Sequence, residues 1–138
     1  MRILALDVGT KRIGLALSDE LLITAQGLDS IYRQGPKADL DAIARLVKEN
    51  GVSEVVVGLP ISMNGTYSAK TREVVEFMEN LEKAVDVPLK AWDERLTTVQ
   101  AERVLLEAGA SRARRKKLAD KLAAQLILQS YLDSRKKA

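Results

Sequence analysis

The sequence predicts an α/β fold built on a mixed sheet whose first three strands run antiparallel, with helices covering both faces. Three observations carry that expectation. LALDVG (residues 4–9) and RIGLALSD (residues 12–19) are two apolar runs joined by a short turn, the pattern of a hairpin. EVVVG (residues 54–58) is brief and apolar throughout, as strands buried on both sides of a parallel sheet are. From residue 36 onward, helical periodicity alternates with short strands, which implies parallel crossovers.

In chain order, Leu4, Ala5, Leu6 and Val8 form the first strand, Gly9 and Thr10 the turn, and Ile13 to Leu17 the return strand. Residues 22–32 supply a third strand through ITAQG and SIY, with Gly27 as the expected bulge. PKADLDAIARLVKENG (residues 36–51) predicts the first helix, with Pro36 at its start, Leu40, Ile43, Ala44 and Val47 on one face, and Gly51 as its stop. EVVVG is the fourth strand, and GLPISMNGT from Gly58 onward is read as a loop. Residues 68–84 form a second helix through Val74, Val75, Met78 and Leu81, and PLKAW (residues 88–92) is the fifth strand. Thr97 or Thr98 opens a third helix that Gly109 closes. LADKLAAQLILQSYLD (residues 118–133) is the last helix, with Leu118, Ala119, Leu122, Ala123, Leu126 and Ile127 as its expected buried stripe.

The chain has 138 residues, 46% of them hydrophobic, which leads us to expect one domain over residues 1–138. It shows no apolar run long enough to span a bilayer, and it opens on a strand rather than a charged leader, so no membrane is expected and the chain is placed in the cytoplasm. There is no cysteine and no histidine. This excludes thiol nucleophiles, thiolate zinc sites and histidine bases, and leaves carboxylates, hydroxyls, lysines or a metal held by oxygen. Charge is divided unevenly: residues 1–94 carry 11 basic and 15 acidic side chains, whereas residues 95–138 carry 11 and 4. Much of the excess lies in SRARRKK (residues 111–117) and in Arg135, Lys136 and Lys137, either a polyanion-binding face or a solvated loop and frayed tail.

In sheets of this kind the working groups lie at the carboxyl ends of the strands. That places Asp7–Arg12, Gly58–Thr66 and Asp93–Thr98 at one edge. A carboxylate at the end of a central strand is costly without compensation, and Asp7 is such a group. Asp93 and Glu94 follow the fifth strand, and Asp120 falls at the border of the last helix's expected stripe. Three carboxylates from three elements suit Mg²⁺ or Mn²⁺, and ions of this type assist phosphodiester cleavage without histidine or cysteine. Each acid also has an ordinary reading: a turn cap for Asp7, an ion pair with Arg95 or Lys90 for Glu94, a helix-dipole partner for Asp120. Gly9 and Gly14 have Walker-loop spacing, but Leu15 and Ala16 stand where lysine and a hydroxyl residue are required, so a P-loop is rejected. DVGT resembles the first phosphate loop of the actin, hexokinase and Hsp70 clan, although one domain of this size offers no second jaw to close over ATP.

LALDVGTKRIGLALSD, VVVGLPISMNGT, WDERLTTVQAE and DKLAAQLILQSYLD together resemble the YqgF, or RuvX, family, bacterial proteins described as candidate pre-16S rRNA nucleases and as Holliday-junction-resolvase-like. The resemblance implies a ribonuclease H-like nuclease domain with a five-stranded mixed sheet, in which Asp7, Glu94 and Asp120 correspond to metal-binding carboxylates. Adjacent residues on an extended chain face opposite ways, so only one of Asp93 and Glu94 can meet Asp7, and Glu94 is preferred. Junction resolvases of this fold commonly bring two acids in the last helix, where this chain offers Asp120. Lys11, Arg12 and Arg95 are expected near the metal, and Arg112, Arg114, Arg115, Lys116 and Lys117 are expected to follow a nucleic-acid backbone. The expected activity is metal-dependent hydrolysis of structured RNA in maturing the 5′ end of 16S rRNA, on pre-ribosomal particles, as monomer or homodimer. Cleavage of branched DNA at Holliday junctions and a non-catalytic binding role in transcription or ribosome assembly are the alternatives.

Overall fold

In the computed structural model, residues 1–62, 64–94 and 112–136 are described, with 112–120 and 136 by their backbone alone. β1 (Arg2–Val8), β2 (Arg12–Ser18) and β3 (Ala25–Tyr32) are followed by α1 (Pro36–Glu49), β4 (Val52–Leu59), α2 (Ala69–Ala84), β5 (Leu89–Asp93) and α3 (Arg112–Lys136). The strands lie in the order β3-β2-β1-β4-β5, antiparallel from β1 to β3 and parallel from β1 through β4 to β5. β1 is therefore central, and the carboxyl ends of β1, β4 and β5 share one edge.

Period-two alternation divides the core into two layers. Leu4, Leu6, Val8, Ile13, Leu15 and Leu17 face one way and pack with Ile43 and Val47 of α1 and Val74, Phe77 and Leu81 of α2. Ile3, Ala5, Ala16 and Val56 face the other way and pack under Ala124, Ile127, Leu128, Tyr131 and Leu132 of α3. Alanines on both sides of this second layer let helix and sheet come close.

Several boundaries differ from the sequence expectation, each for a local reason. β3 begins at Ala25 because Asp19 closes the preceding turn, its Oδ1 accepting from the amides of Ile23 (2.7 Å) and Thr24 (3.0 Å). The bulge is not at Gly27, which pairs regularly with Ala16; the register shifts between Ile13 and Leu15, where β3 carries the extra residue between Ile31 and Leu28. β4 continues to Leu59, so Gly58 belongs to a strand rather than a loop. The last helix starts at Arg112 rather than Leu118 and runs to Lys136, so the basic run occupies its first turns and Arg135 its last. Its buried stripe is Ala123, Ala124, Ile127, Leu128, Tyr131 and Leu132, rotated from the expected one so that Leu122 and Leu126 are only half-buried. The helix expected from Thr97 or Thr98 to Gly109 lies outside the described residues. Among the described residues, no helix is long and apolar enough to cross a membrane.

Candidate active site

Alternation along β1 puts Asp7 on the same face as Ile3 and Ala5, under α3, near the carboxyl end of the central strand. Glu94 is the residue just beyond β5, held by its amide, which donates to the Leu59 carbonyl at 3.3 Å. Between them lies Gly58, level with Trp92 on β5. A Cβ on Gly58 would collide with Glu94 Oε2 and would stand 2.6 Å from Ile127 Cδ1. The missing side chain is thus the space into which the Glu94 carboxylate folds back over the sheet. Glu94 Oε2 is buried there, whereas Asp93 points out and is exposed.

Glu94 lies beside Asp7, near enough for its carboxyl to respond to the charge of Asp7 and to hydrogen bonding with it. Burial above all, then the charge of Asp7 and the hydrogen bonding to it, and last the charge of Asp93, together push the Glu94 carboxyl up to about 8. Lys70, in the first turn of α2, pulls the other way. The helix is set at this edge by Ser68, whose side chain accepts from the Thr71 amide, and by the Thr71 hydroxyl, which donates to the Pro60 carbonyl. Two oxygen-only donors held together in a half-buried site fit a hard divalent cation, since a bound cation can replace the proton that otherwise spares them two adjacent negative charges.

Of the sequence-predicted residues, the structure brings Asp7 and Glu94 together. Position 120 lies on α3 one turn before Ala123 and Ala124, and its side chain is outside the described residues. Among the described residues no group of three acids is gathered tightly enough to hold a metal. Lys11 is exposed on the β1–β2 turn, and Arg12 opens β2 half-buried. Arg95 lies outside the described residues, and Arg112, Arg114, Arg115, Lys116 and Lys117 are placed by the helix backbone alone.

Sequence reasoning missed Gly58, Lys70 and Arg33. A glycine closing an apolar strand hinted at close approach, but nothing local named Glu94 as the group approaching. Arg33 follows β3 and reaches behind the β1–β2 turn: its Nη1 donates to the Gly9 carbonyl (3.0 Å) and its Nε to Asp39 Oδ2 (3.1 Å).

The comparisons with known proteins agree with this architecture. A family model described as RuvX, Holliday junction resolvase, matches residues 1–134. A protein of Clostridium novyi (strain NT) is 51% identical over 134 residues, covering 97% of this chain and 99% of its own. One of Thermoanaerobacter pseudethanolicus is 52% identical over 137 residues, covering 99% of each. Both bear the name "Putative pre-16S rRNA nuclease". Among solved structures, T. thermophilus RuvC in complex with Holliday junction substrate aligns with a TM-score of 0.62 at 18% identity, over 100% of this chain and 97% of that one. The Fowlpox virus resolvase with substrate Holliday junction DNA gives 0.62 at 14% identity, over 98% and 99%. At such identities the likeness establishes the fold, ribonuclease H-like, and nothing finer.

Proposed function

The chain belongs to the RuvX family, whose curated relatives are named as nucleases, and on that premise we propose that it is a metal-dependent nuclease that cuts structured RNA in maturing the 5′ end of 16S rRNA. The observation that carries the reading is the half-buried Asp7–Glu94 pair at the carboxyl edge of the sheet. Such a pair lowers stability in a chain that gains nothing from it.

Asp7 and Glu94 hold Mg²⁺ or Mn²⁺, with Asp120 as the third ligand. When bound, a divalent ion supplies positive charge against the phosphate as negative charge builds in the transition state. Lys11, Arg12 and Arg95 lie along the chain next to these acids and contact phosphates flanking the scissile bond. Arg112, Arg114, Arg115, Lys116 and Lys117 follow the backbone leading to Asp120. Aromatic residues are only 4% of the chain, so binding depends on phosphate and shape rather than base stacking, and affinity falls steeply with salt.

The deciding experiment is cleavage of a labelled precursor 16S 5′ fragment beside a four-way DNA junction, in Mg²⁺ and then Mn²⁺, comparing the parent with Asp7→Asn. Cutting of the RNA that the variant loses supports the reading. The family model's description favours branched DNA as the second substrate class, and cutting of the junction alone would select it. That activity calls for a homodimer, because two symmetric cuts need two sites related by a two-fold axis. Binding with no cutting in either ion would leave a nucleic-acid-binding factor of transcription or ribosome assembly.

A further inference from the structure

The β1–β2 turn is fixed from behind by a residue remote from it in sequence. Within the turn, the Gly9 amide donates to the Arg12 carbonyl at 2.8 Å, and a Cβ on Gly9 would lie 2.7 Å from that same oxygen. The Gly9 carbonyl in turn accepts from Arg33 Nη1 (3.0 Å). The Arg33 amide also donates to the Lys11 carbonyl at 2.9 Å, so backbone and side chain of one residue grip both ends of the Gly9–Lys11 segment. The guanidinium is anchored in turn: Nε pairs with Asp39 at 3.1 Å, and the group lies over the Phe77 ring, 5.5 Å from its centre. Asp39 is 2% exposed and its other oxygen accepts from the Gln34 amide at 3.0 Å, so this anchor is rigid.

The segment so held carries Lys11, which is exposed at the sheet edge that bears the Asp7–Glu94 pair. A lysine is a flexible point charge, and ordering the backbone from which it springs lowers the cost of committing it to one phosphate. Building on the nucleic-acid reading above, we propose that Arg33 is a positioning residue for substrate binding: it ties the Gly9 carbonyl to Asp39 and so holds the turn in the form in which Lys11 meets a backbone phosphate. A planar fork that serves two acceptors at once is a property of arginine; lysine keeps the charge and loses the bridge.

The test is a double-mutant cycle on affinity for a short RNA hairpin at low salt in EDTA, with melting temperature recorded for each protein. Lys11→Ala should weaken binding about fivefold and reduce the salt slope by about one, the mark of one lost phosphate contact. Arg33→Lys, unchanged in net charge, should weaken it to a similar extent, and the double variant should bind within about twofold of Lys11→Ala, since coupled residues do not add. Asp39→Asn leaves Arg33 in place and removes the charge that anchors it, so it should reproduce the loss if Arg33→Lys fails to fold. Losses that add, or parent-like binding by both Arg33→Lys and Asp39→Asn, overturn the proposal, as does failure of the parent to bind the hairpin. Binding without cleavage in Mg²⁺ or Mn²⁺ would sink the nuclease reading alone, and the cycle would still decide on Arg33.

Discussion

Two acids, Glu54 buried and Glu94 half-buried, lie under the same helix, on the same face of the sheet, and their surroundings are opposite. At one end Glu54, 8% exposed, accepts from the Tyr131 hydroxyl at 2.5 Å and pairs with Arg135 at 2.9 Å. Burial and the bond to Glu54 raise the Tyr131 hydroxyl above its ordinary range, and the ring packs edge-on against Trp92, 5.5 Å between centres. At the other end Glu94 meets Asp7, with Asp93 adding further negative charge and Lys70 as the opposing influence. The first acid is compensated by neighbours whose shapes and charges suit it, and it fastens α3 to β4. The second is held against a like charge, a cost that a cation would remove. Burial of a carboxylate therefore says little by itself; the sign of what surrounds it separates a fastening from a site.

Neutralising one member of the like-charged pair should produce the largest effect. Asp7→Asn should lower cleavage about a thousandfold or more while raising the melting temperature in EDTA, because repulsion is relieved as chemistry is lost. A variant both inactive and less stable would make Asp7 a structural residue. Gly58→Ala tests the space rather than the charge: its methyl meets the Glu94 carboxylate and Ile127, and should cost about 1–3 kcal/mol by overpacking. Displacing Glu94 should also slow cleavage by up to about a hundredfold.

The pH dependence of stability follows from the same pair. Glu94 binds its proton more tightly folded than unfolded, so the metal-free fold is favoured below the ordinary value of 4.5 and loses that advantage as pH rises toward about 8. Melting in EDTA across that window should show a decline, shallower in Asp7→Asn because the neighbouring charge is gone while burial remains. A parent curve flat from 4.5 to 8 would contradict the raised value. The smallest effect belongs to the compensated end. Tyr131→Phe should cost about 1–2 kcal/mol in denaturant unfolding and leave cleavage per folded molecule unchanged; a change in cleavage would mean that the two ends are coupled.

Much of this site was legible in sequence because strand alternation and strand-end placement are local rules. Asp7 after an apolar run follows from counting by twos along β1; along β5 the same rule says only that one of Asp93 and Glu94 turns inward, and the preference for Glu94 comes with the family resemblance. The rotation of α3 was not legible. Leu118, Leu122 and Leu126 outline one plausible face, yet packing chose the row of Ala123, Ala124, Ile127 and Tyr131, because alanines fit closely over Ala5 and Ala16 and Tyr131 has a partner in Glu54. Nor were the pairs Glu54–Arg135 and Gly9–Arg33 legible, since their members lie far apart in sequence and leave no local pattern. Gly58 was visible as a glycine but not as a notch, which only the position of Glu94 defines.

The attachments of α3 have a consequence best stated in terms of phase. The helix has 25 residues, about 37 Å of rise, and its rotation about its own axis is set by side chains from its middle and far end. Gln125 and Gln129 bond the backbone of Ala25 and Ile23, Lys121 lies in the gap left by the absent side chain of Gly27, and Arg135 holds Glu54. These act as keys on a shaft. The angle at which position 120 and the basic turns before it stand to the sheet is thereby fixed by contacts that begin at Lys121 and run to the far end of the helix. Removing a single residue between 120 and 123 would leave composition and charge almost unchanged, yet turn that whole segment by about 100°.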